Sequence, residues 1–305
     1  MIQIIPKTNI DFIGKRYIFF TISAVLLLSG IASLIMKKGP RWGLDFTGGS
    51  LVEVKFETAP SIDQVRSALS QAGIPSFEIQ SVSGQGVIVR AQLSPGEGKT
   101  ETKANTGFTV QSVLEQSFAE NKPVILRKEF VGPTVGRHLF KQTGLAFIFT
   151  FVGIIIYVGF RFHAPLWGAA GVIAIIHDVL ATIGIFSILD KEITVTVVAA
   201  LLTIAGYSIN DTIVIFDFMR EKFRLLRTEP MEKIINLSLN ETLSRTLITN
   251  LTVLLVVLTL FFFGGEVIHD FAFAMVFGAI VGTYSTIGIA AAFIFEYTRI
   301  KAIRK

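Results

Sequence analysis

Long apolar segments separated by short polar links dominate the pattern of this chain. Each segment has roughly 20 apolar residues, about the length that an α-helix needs to cross ~30 Å of hydrocarbon. The pattern predicts six transmembrane helices, at approximately residues 17–36, 143–160, 166–189, 195–216, 246–263 and 271–295. We therefore expect an integral membrane protein.

A cleaved signal peptide is an alternative interpretation of the first apolar segment, because Lys15 and Arg16 precede it as basic residues precede a signal. The segment is longer than the apolar core of a signal, and no small-residue cleavage site follows Met36. A retained span is therefore expected.

The distribution of positive charge along the short links predicts the orientation in the membrane. Cytoplasmic loops carry an excess of Lys and Arg. The basic residues at the two termini and in the links after the second and fourth spans are Lys7, Lys15, Arg16, Arg161, His163, Arg220, Lys222, Arg224, Arg227, Lys233, Arg299, Lys301, Arg304 and Lys305. Both termini are therefore predicted on the cytoplasmic side of a cell membrane, the inner membrane where a cell has two. Lys37, Lys38 and Arg41 lie on the other side, but they open a long loop, and long loops cross largely regardless of charge.

The exported loop, residues 37–138, has the pattern of a folded α+β domain. In chain order we predict a strand at 51–57, a helix from the N-cap Ser61 to 72, strands at 77–82 and 87–92, a helix at 108–121 and a strand at 124–130. The order β-α-β-β-α-β is that of the ferredoxin-like fold. The polar stretch 94–106 is expected to be a flexible loop.

The predicted fold is therefore an all-α bundle of six transmembrane helices with an exported ferredoxin-like domain between the first and second helices. We divide the chain into a cytoplasmic N terminus with the first helix (1–36), the exported domain (37–138) and a five-helix region with a cytoplasmic C terminus (139–305). The cytoplasmic link 218–244 has apolar residues at helical spacing from Met231 to Leu243, which predicts an interfacial helix before the fifth span.

Composition argues against several classes of function. The chain contains no cysteine, so the exported domain has no disulfide. The Lys and Arg residues responsible for the net charge of +5 lie beside the apolar segments, as they do on cytoplasmic loops. This distribution argues against a nucleic-acid partner. No Gly-x-x-x-x-Gly-Lys-Ser/Thr string is present, so a bound nucleotide is not expected. No His, Cys and acidic residues occur at metal-ligand spacing, and we expect no cofactor.

Two charged residues of the apolar segments are the main functional candidates. Asp211 lies toward the cytoplasmic side of the fourth span, and Arg245 opens the fifth span from that same side. A charged side chain at bilayer depth costs at least ~2.5 kcal/mol, and such groups persist where they face protein or water, often along an ion or proton path. We expect the two side chains at similar depth, where they can pair for proton transfer. A structural salt bridge that fixes helix register is the alternative.

Other polar residues near Asp211 are supporting candidates. Thr203, Tyr207 and Asp211 recur every four residues, with Asn210 beside them, so they share one stripe of the helix. The stripe predicts a polar seam inside a helix bundle. Asp217 lies at the cytoplasmic edge and is expected to be a helix-end residue that contacts the basic loop.

Asp178, preceded by His177, lies near the middle of the third span. A functional carboxylate and an interhelical hydrogen bond are both open interpretations of Asp178, whereas the hydrogen bond is favoured for His177. Gly278 and Gly282 form a small-xxx-small pair on the sixth span, which predicts close helix packing.

Several strings, in order along nearly the whole chain, resemble the SecF group of the SecD/SecF family, within the RND superfamily of transporters. They are WGLDFTGG (42–49), VGPTVG (131–136), His177-Asp178, GYSINDTIV (206–214) and RTLIT (245–249). The chain departs from the family at Phe218, where an arginine commonly follows the second aspartate. It also departs at Asn250, where a small hydroxyl residue is common.

The resemblance implies half of an RND-type transporter that forms a twelve-span unit with SecD. It implies that this heterodimer uses the proton motive force to complete translocation of unfolded preproteins through the SecYEG channel, after the ATP-dependent SecA step. A YidC-type insertase is a further implied partner. The family's proton-handling aspartate and arginine correspond to Asp211 and Arg245.

Two other functions agree with part of the pattern. Asp178 and Asp211 in successive spans suggest an intramembrane aspartic protease, but the Tyr-Asp and Gly-x-Gly-Asp strings that such enzymes share are absent. An RND-type drug or lipid exporter is the other, but such chains usually carry both six-span halves. We expect a transport accessory without enzymatic activity, which needs a partner for its second half.

The exported domain is expected to bind unfolded chains and to move as the spans rearrange. It contains no recognisable catalytic motif. Gly39-Pro40 and Gly132-Pro133 flank it, and each combines a flexible residue with a rigid one, as a bounded hinge would.

Overall fold

A computed structural model describes residues 8–74, 77–82, 85–91, 100–162 and 165–303. The chain forms two compact units: Met1–Arg41 with Leu145–Lys305, and Trp42–Gly144. In chain order, the elements are α1 (Arg16–Met36), α2 (Leu44–Thr47), β1 (Gly49–Lys55), α3 (Ile62–Gln71), β2 (Phe77–Val82), β3 (Gly86–Ala91), α4 (Thr100–Ser117), a 3₁₀ turn (Ala119–Asn121), β4 (Val124–Val131), α5 (Pro133–Phe162), α6 (Pro165–Ile188), α7 (Val195–Leu225), α8 (Met231–Phe263), α9 (Glu266–Ser285), a π-helical segment (Thr286–Ala290) and α10 (Ala291–Ile303).

The first unit is a bundle of long apolar helices. Within the described ranges, six helices are long and apolar enough to cross a membrane, and they match the six predicted spans in order. The predicted membrane fold is thus confirmed. The third, fourth and sixth of these helices are the most buried, whereas α1, α5 and α8 expose most of their apolar side chains. Such faces suit lipid or a helical partner.

Several helices continue beyond the apolar segments that predicted them. α5 begins at Pro133, because proline fits the first turn of a helix, where its missing N–H is not needed. α8 runs unbroken from Met231 to Phe263, so the predicted interfacial helix and the fifth span are one helix. No glycine or proline occurs within that range to end the first part.

Glycines allow two pairs of helices in the bundle to approach closely. A Cβ atom added to Gly30 of α1 would lie 2.7 Å from the Cα of Gly184 in α6. On α9, a Cβ at Gly278 would meet the Ile204 side chain of α7 at 2.2 Å, and one at Gly282 would lie 3.4 Å from Ser208. The close packing predicted from the Gly278–Gly282 spacing is therefore confirmed, and α7 is the helix packed there.

Ion pairs join the links at each end of the bundle. At one end, Asp190 lies 3.0 Å from Lys37 Nζ and 3.0 Å from a guanidinium nitrogen of Arg41. The hydrogen bond from Lys37 and the charge of Arg41 hold the pKa of Asp190 below its ordinary value. At the other end, Arg16 pairs with Glu296 near the C terminus. Of Lys37, Lys38 and Arg41, the three cations that do not follow the charge rule, Lys37 and Arg41 thus share an acidic partner in the link after α6.

The segment before α1 is fastened to α8 by two asparagines. Asn236 Oδ1 accepts hydrogen bonds from the backbone N–H groups of Phe12 and Ile13, each at 3.0 Å. One turn later, Asn240 accepts from the N–H of Ile10 at 2.9 Å and donates to its carbonyl at 2.8 Å. The first turns of α8 are therefore packed against the segment before α1 rather than isolated in an interfacial loop.

The second unit contains a four-stranded antiparallel sheet in the order β2-β3-β1-β4. This is the strand order of the ferredoxin-like fold, and the predicted strands and helices all lie in it. Ser61 caps α3 as predicted, accepting from the N–H of Gln64 at 3.2 Å while the Gln64 side chain accepts from the N–H of Ser61 at 3.0 Å. The apolar core between sheet and helices comprises Val52, Val54, Phe56, Val65, Leu69, Ile74, Val87, Val89, Ala91, Val110 and Leu114.

The predicted loop at 94–106 is wrong in its second half, because residues 100–106 belong to α4. Polar residues such as Thr and Lys extend a helix readily once later turns are fixed by packing, and Val110 and Leu114 are fully buried in the core. Residues 94–99 lie outside the described residues.

Candidate functional site

Asp211 is a buried carboxylate whose hydrogen-bond partners come from the neighbouring helix. It lies in α7 with 5% of its surface exposed. The Asn250 amide Nδ2 donates to Asp211 Oδ2 at 2.9 Å, and the Thr249 hydroxyl lies 3.4 Å from Asp211 Oδ1. These two partners are consecutive residues of α8. The site therefore depends on how α7 and α8 face each other.

The Thr249 contact is the weaker of the two. Its hydroxyl also lies 3.1 Å from the carbonyl of Arg245 and 3.0 Å from that of Thr246 in the preceding turn. A hydroxyl has one proton to donate, so it is shared with shorter bonds to the backbone. One carboxylate oxygen of Asp211 is thus poorly satisfied by protein groups.

Arg245 lies one helical turn before Thr249, and its side chain is exposed in this chain. Thr249, whose hydroxyl contacts Asp211, follows Arg245 by four residues, so Arg245 lies on the helix that faces the carboxylate. Within the described residues, however, no hydrogen bond or ion pair joins Arg245 to Asp211. The predicted direct pair is therefore not formed in this arrangement of the helices.

The polar stripe of α7 is only partly enclosed by this chain. Thr203 and Asn210 are exposed, Tyr207 is half-buried and Asp211 is buried. The Tyr207 hydroxyl has no hydrogen-bond partner within the described structure. The predicted seam inside a bundle is therefore not closed by the helices of this chain alone.

Asp178 is the centre of a second buried cluster. It is 0% exposed, and its Oδ2 accepts from the Ser208 hydroxyl of α7 at 2.6 Å and from the Ser285 hydroxyl of α9 at 2.9 Å. Its Oδ1 lies 3.0 Å from His177 Nδ1. Asp178 thus joins three helices, which is the interhelical hydrogen bond that the sequence left as one of two interpretations.

A second pair of hydroxyls extends this cluster along α7. Thr212 and Thr286 lie 3.1 Å apart and both are fully buried. Thr286 opens the π-helical segment, directly after Ser285. Short π-helical segments often occur at functional sites. The consecutive residues Ser285 and Thr286, where α9 meets this segment, contact Asp178 of α6 and Thr212 of α7.

Asp217 forms an ion pair with Arg161 near the end of α5. The predicted contact with the basic loop after the fourth span is therefore replaced by an ion pair with the last turn of α5. It is not a helix-end residue, because α7 continues to Leu225. The ion pair connects α5 to α7 at a point that follows Asp211 along α7.

Sequence reasoning did not assign a role to three of these groups: Asn250, Ser208 and Ser285. Each is a small polar residue in an apolar helix, which is the only local signal that it carries. Their partners lie 30 to 107 residues away in the chain. Asp178 and Asp211 share no hydrogen-bond partner among the described residues. No group of three or more His, Cys, Asp or Glu residues that could hold a metal ion occurs in the described part either.

The sequence matches two families. Residues 110–300 match the family described as "Protein export membrane protein SecD/SecF, C-terminal", and residues 33–60 match "SecD/SecF GG Motif". A protein translocase subunit SecF from Endomicrobium trichonymphae is 45% identical over 301 residues, covering 98% of this chain and 94% of that protein. The SecF of Escherichia coli O157:H7 is 42% identical, covering 92% of this chain and 86% of that protein.

Two solved structures of SecDF proteins resemble this chain. The crystal structure of SecDF from Thermus thermophilus, a translocon-associated membrane protein, has a TM-score of 0.83 with 34% identity and covers 98% of this chain. A SecDF in the super-membrane-facing form has a TM-score of 0.64 with 31% identity. This chain spans 40% of each of those proteins. The RND-type fold of the bundle agrees with this likeness.

Proposed function

The chain belongs to the SecD/SecF family of protein export membrane proteins, as a SecF-type protein translocase subunit, and we propose that it couples an ion gradient to protein export. In this proposal it forms a heterodimer with SecD. The pair uses the proton motive force to complete the translocation of preproteins through SecYEG, after the ATP-dependent SecA step. A YidC-type insertase is a further proposed partner.

The observation that carries this proposal is the incompletely satisfied carboxylate of Asp211. A buried carboxylate with one short hydrogen bond, an exposed arginine nearby and a poorly satisfied second oxygen can take up and release a proton without breaking a large network. Arg245 is expected to hold the carboxylate ionised until a proton arrives. In the proposed cycle it then approaches or leaves Asp211 as α7 and α8 shift.

Two observations support a second helical bundle as the partner. The stripe of α7 that carries Asp211 exposes Thr203 and Asn210, polar groups that favour protein or water over lipid. The SecDF structures that resemble this chain are also much longer than it is. A SecD bundle packed on this stripe would enclose the Asp211 site and complete the polar seam.

The proposed orientation has both termini in the cytoplasm of the cell or inner membrane and residues 37–138 exported. The ion pair between Arg16 and Glu296 supports placing both termini on one side. Cysteine labelling at Thr8 and, separately, at Asp270 near the start of α9 tests the orientation, since the sequence has no cysteine. A membrane-impermeant reagent applied to intact cells is expected to label only the Asp270→Cys variant. Labelling at Thr8→Cys would reverse the proposed topology.

The test of function is export into sealed vesicles that contain this chain, its SecD partner and SecYEG. With ATP and SecA present for initiation and then removed, completion of translocation is expected to follow the imposed gradient. A proton gradient and a sodium gradient are imposed separately, so that the coupling ion is identified. If neither gradient changes completion, ion coupling is wrong.

The Asp211→Asn variant tests the carrier in the same assay. The amide keeps the shape of the side chain but cannot cycle a proton, so gradient-driven export is expected to fall to background while co-purification with SecD is unchanged. An unrelated polar change on α8, Thr259→Val, serves as the control because Thr259 is exposed and bonds only its own helix within the described chain. Full gradient-dependent export by Asp211→Asn would refute the carrier assignment. Loss of the complex would instead favour the structural salt bridge.

The exported domain is proposed to bind unfolded preprotein and to move during the cycle. Gly39 adopts a φ of +123°, a conformation that favours glycine, at one of the two predicted hinges. An engineered disulfide that locks this domain to the membrane region is expected to stop export, and reductant is expected to restore it. Full export by the locked protein would show that the domain is a static docking surface.

A further inference from the structure

Asn250 is the closest hydrogen-bond partner of Asp211 among the described residues. The nitrogen of its side-chain amide is hydrogen-bonded, whereas the oxygen is not. The side chain is 3% exposed. Its Nδ2 donates to Asp211 Oδ2 at 2.9 Å and lies 3.4 Å from the carbonyl of Thr246. Its Oδ1 is buried and has no hydrogen-bond partner in the described chain. Buried amide oxygens without a partner are uncommon, which calls for an explanation.

An amide differs from the other groups around Asp211 because it can both donate and accept. An ionised carboxylate only accepts hydrogen bonds, whereas a protonated acid also has an O–H to donate. Arg245 can only donate, and the Thr249 hydroxyl is shared with backbone carbonyls. A group that serves both protonation states must change from donor to acceptor at the same position.

We propose that Asn250 is a positioning residue that serves both protonation states of Asp211. Its NH₂ group donates to the carboxylate, and a half-turn of the amide about the Cβ–Cγ bond then presents Oδ1 as the acceptor for the O–H of the protonated acid. The proton remains on Asp211 throughout, and Asn250 stays neutral. This inference rests on the proposed proton-carrying role of Asp211.

The half-turn requires little else to change. The terminal torsion of asparagine is broad and nearly two-fold, and the two ends of the amide have similar size. Oδ1 has no hydrogen bond to lose, and the contact of Nδ2 with Thr246 is a long one. The charged and titratable groups that act on Asp211 from the packed helices are Arg245 on α8 and Tyr207 on α7. Neither forms a hydrogen bond to Asp211 in the described structure, so neither replaces the amide.

The test compares Asn250→Leu with Asn250→Ser in the complex with SecD, reconstituted in lipid vesicles. Leucine has a similar size and can neither donate nor accept, whereas a serine hydroxyl can rotate to do either. Infrared difference spectra between high and low pH report the carboxyl C=O band of protonated Asp211, which is identified by its loss in Asp211→Asn. Gradient-driven export is measured on the same preparations, with Thr259→Val as the control.

The expected result is a shift of the Asp211 band to higher frequency in Asn250→Leu, with about a tenfold loss of gradient-driven export. Asn250→Ser is expected to keep both the band position and most of the export. An Asp211 band that is present but unchanged in Asn250→Leu would overturn this inference and leave the proton-carrying role intact. Equal losses of export in the serine and leucine variants, with unchanged bands, would show a packing role only. Absence of any titrating Asp211 band in the natural sequence would instead refute the proposed function, and this inference with it.

Discussion

Asp178 and Asp211 are carboxylates at successive buried helices of one bundle, and their surroundings differ sharply. Asp178 is fully buried and meets three donors from its own chain, on His177, Ser208 and Ser285. Asp211 has one short hydrogen bond and one long contact, and it lies beside the stripe of α7 that this chain leaves open.

Asp178 is fixed by several hydrogen bonds to its own chain, whereas Asp211 has few hydrogen bonds that protonation would disturb. Adding a proton to Asp178 would disturb hydrogen bonds that join α6, α7 and α9, so its contribution is expected to be to stability. Adding a proton to Asp211 disturbs one amide that can turn. The comparison therefore supports Asp211, rather than Asp178, as the residue for the proposed ion-coupling role.

The largest effect is expected from removal of the Asp178 side chain, which should lower the stability of the folded protein and so sharpen the comparison. Asp178→Ala leaves the Ser208 hydroxyl buried without its acceptor, at about 1–3 kcal/mol, and leaves Ser285 only the carbonyl of Gly282 at 3.1 Å. We expect a loss of about 2 kcal/mol or more in the free energy of unfolding and a lower yield of folded chain. Thermal unfolding in detergent, with Asp217→Ala as a half-exposed comparison, measures it. A stable Asp178→Ala protein that has lost only gradient-driven export would break the comparison, because Asp178 would then belong to the ion path.

The second-largest effect is expected from substitution of Arg245, the proposed cationic partner of Asp211. Arg245→Lys keeps the positive charge near Asp211 but removes the planar guanidinium. We expect severe impairment of gradient-driven export, at least about tenfold (~1.4 kcal/mol), with little change in thermal stability because Arg245 is exposed. Export at the natural level would mean that no bidentate contact with Asp211 forms at any stage of the cycle.

A smaller effect is expected at a single donor of the Asp178 cluster. Ser208→Ala removes the 2.6 Å hydrogen bond to Asp178 but leaves those from Ser285 and His177. The expected loss of stability is about 1–2 kcal/mol, with the pH dependence of export unchanged. If the pH dependence of export moves instead, Asp178 and Asp211 are coupled, and the two sites are not separate.

The smallest effect is expected at Asp190, an exposed carboxylate that serves as a reference for the two buried ones. Its folded pKa is lowered by Lys37 and Arg41, so the stability that it contributes is present above its ordinary pKa of 3.8 and is lost as the pH falls toward the lowered folded value. Because the side chain is 58% exposed, solvent screening limits the contribution to about 0.5 kcal/mol. Thermal unfolding of Asp190→Asn is expected to differ from that of the natural chain at pH 7 and to converge with it below about pH 3. A difference that persists at the acid end would mean that Asp190 acts through something other than its charge.

The sequence by itself determined the elements of this protein and the helix that carries its candidate carboxylate. Six apolar segments predicted six spans, because the length and composition of a span are local properties set by the thickness of the hydrocarbon. The β-α-β-β-α-β order predicted the sheet of the second unit, since alternation and capping are also local. The same reasoning placed Asp211 inside a helix, which agrees with the structure.

Only the tertiary structure decided which groups those charged residues touch. Asn250 meets Asp211 across 39 residues of sequence, and Ser285 meets Asp178 across 107. Such contacts depend on the rotation and tilt of whole helices, and close approach at Gly278 and Gly282 sets them for α7 and α9. For this reason the local pattern predicted the polar stripe of α7 but not that its outer part stays open, nor that Arg245 and Asp211 stand apart here. The helix pattern fixes which residues share a face, and packing of one helix on another fixes what that face meets.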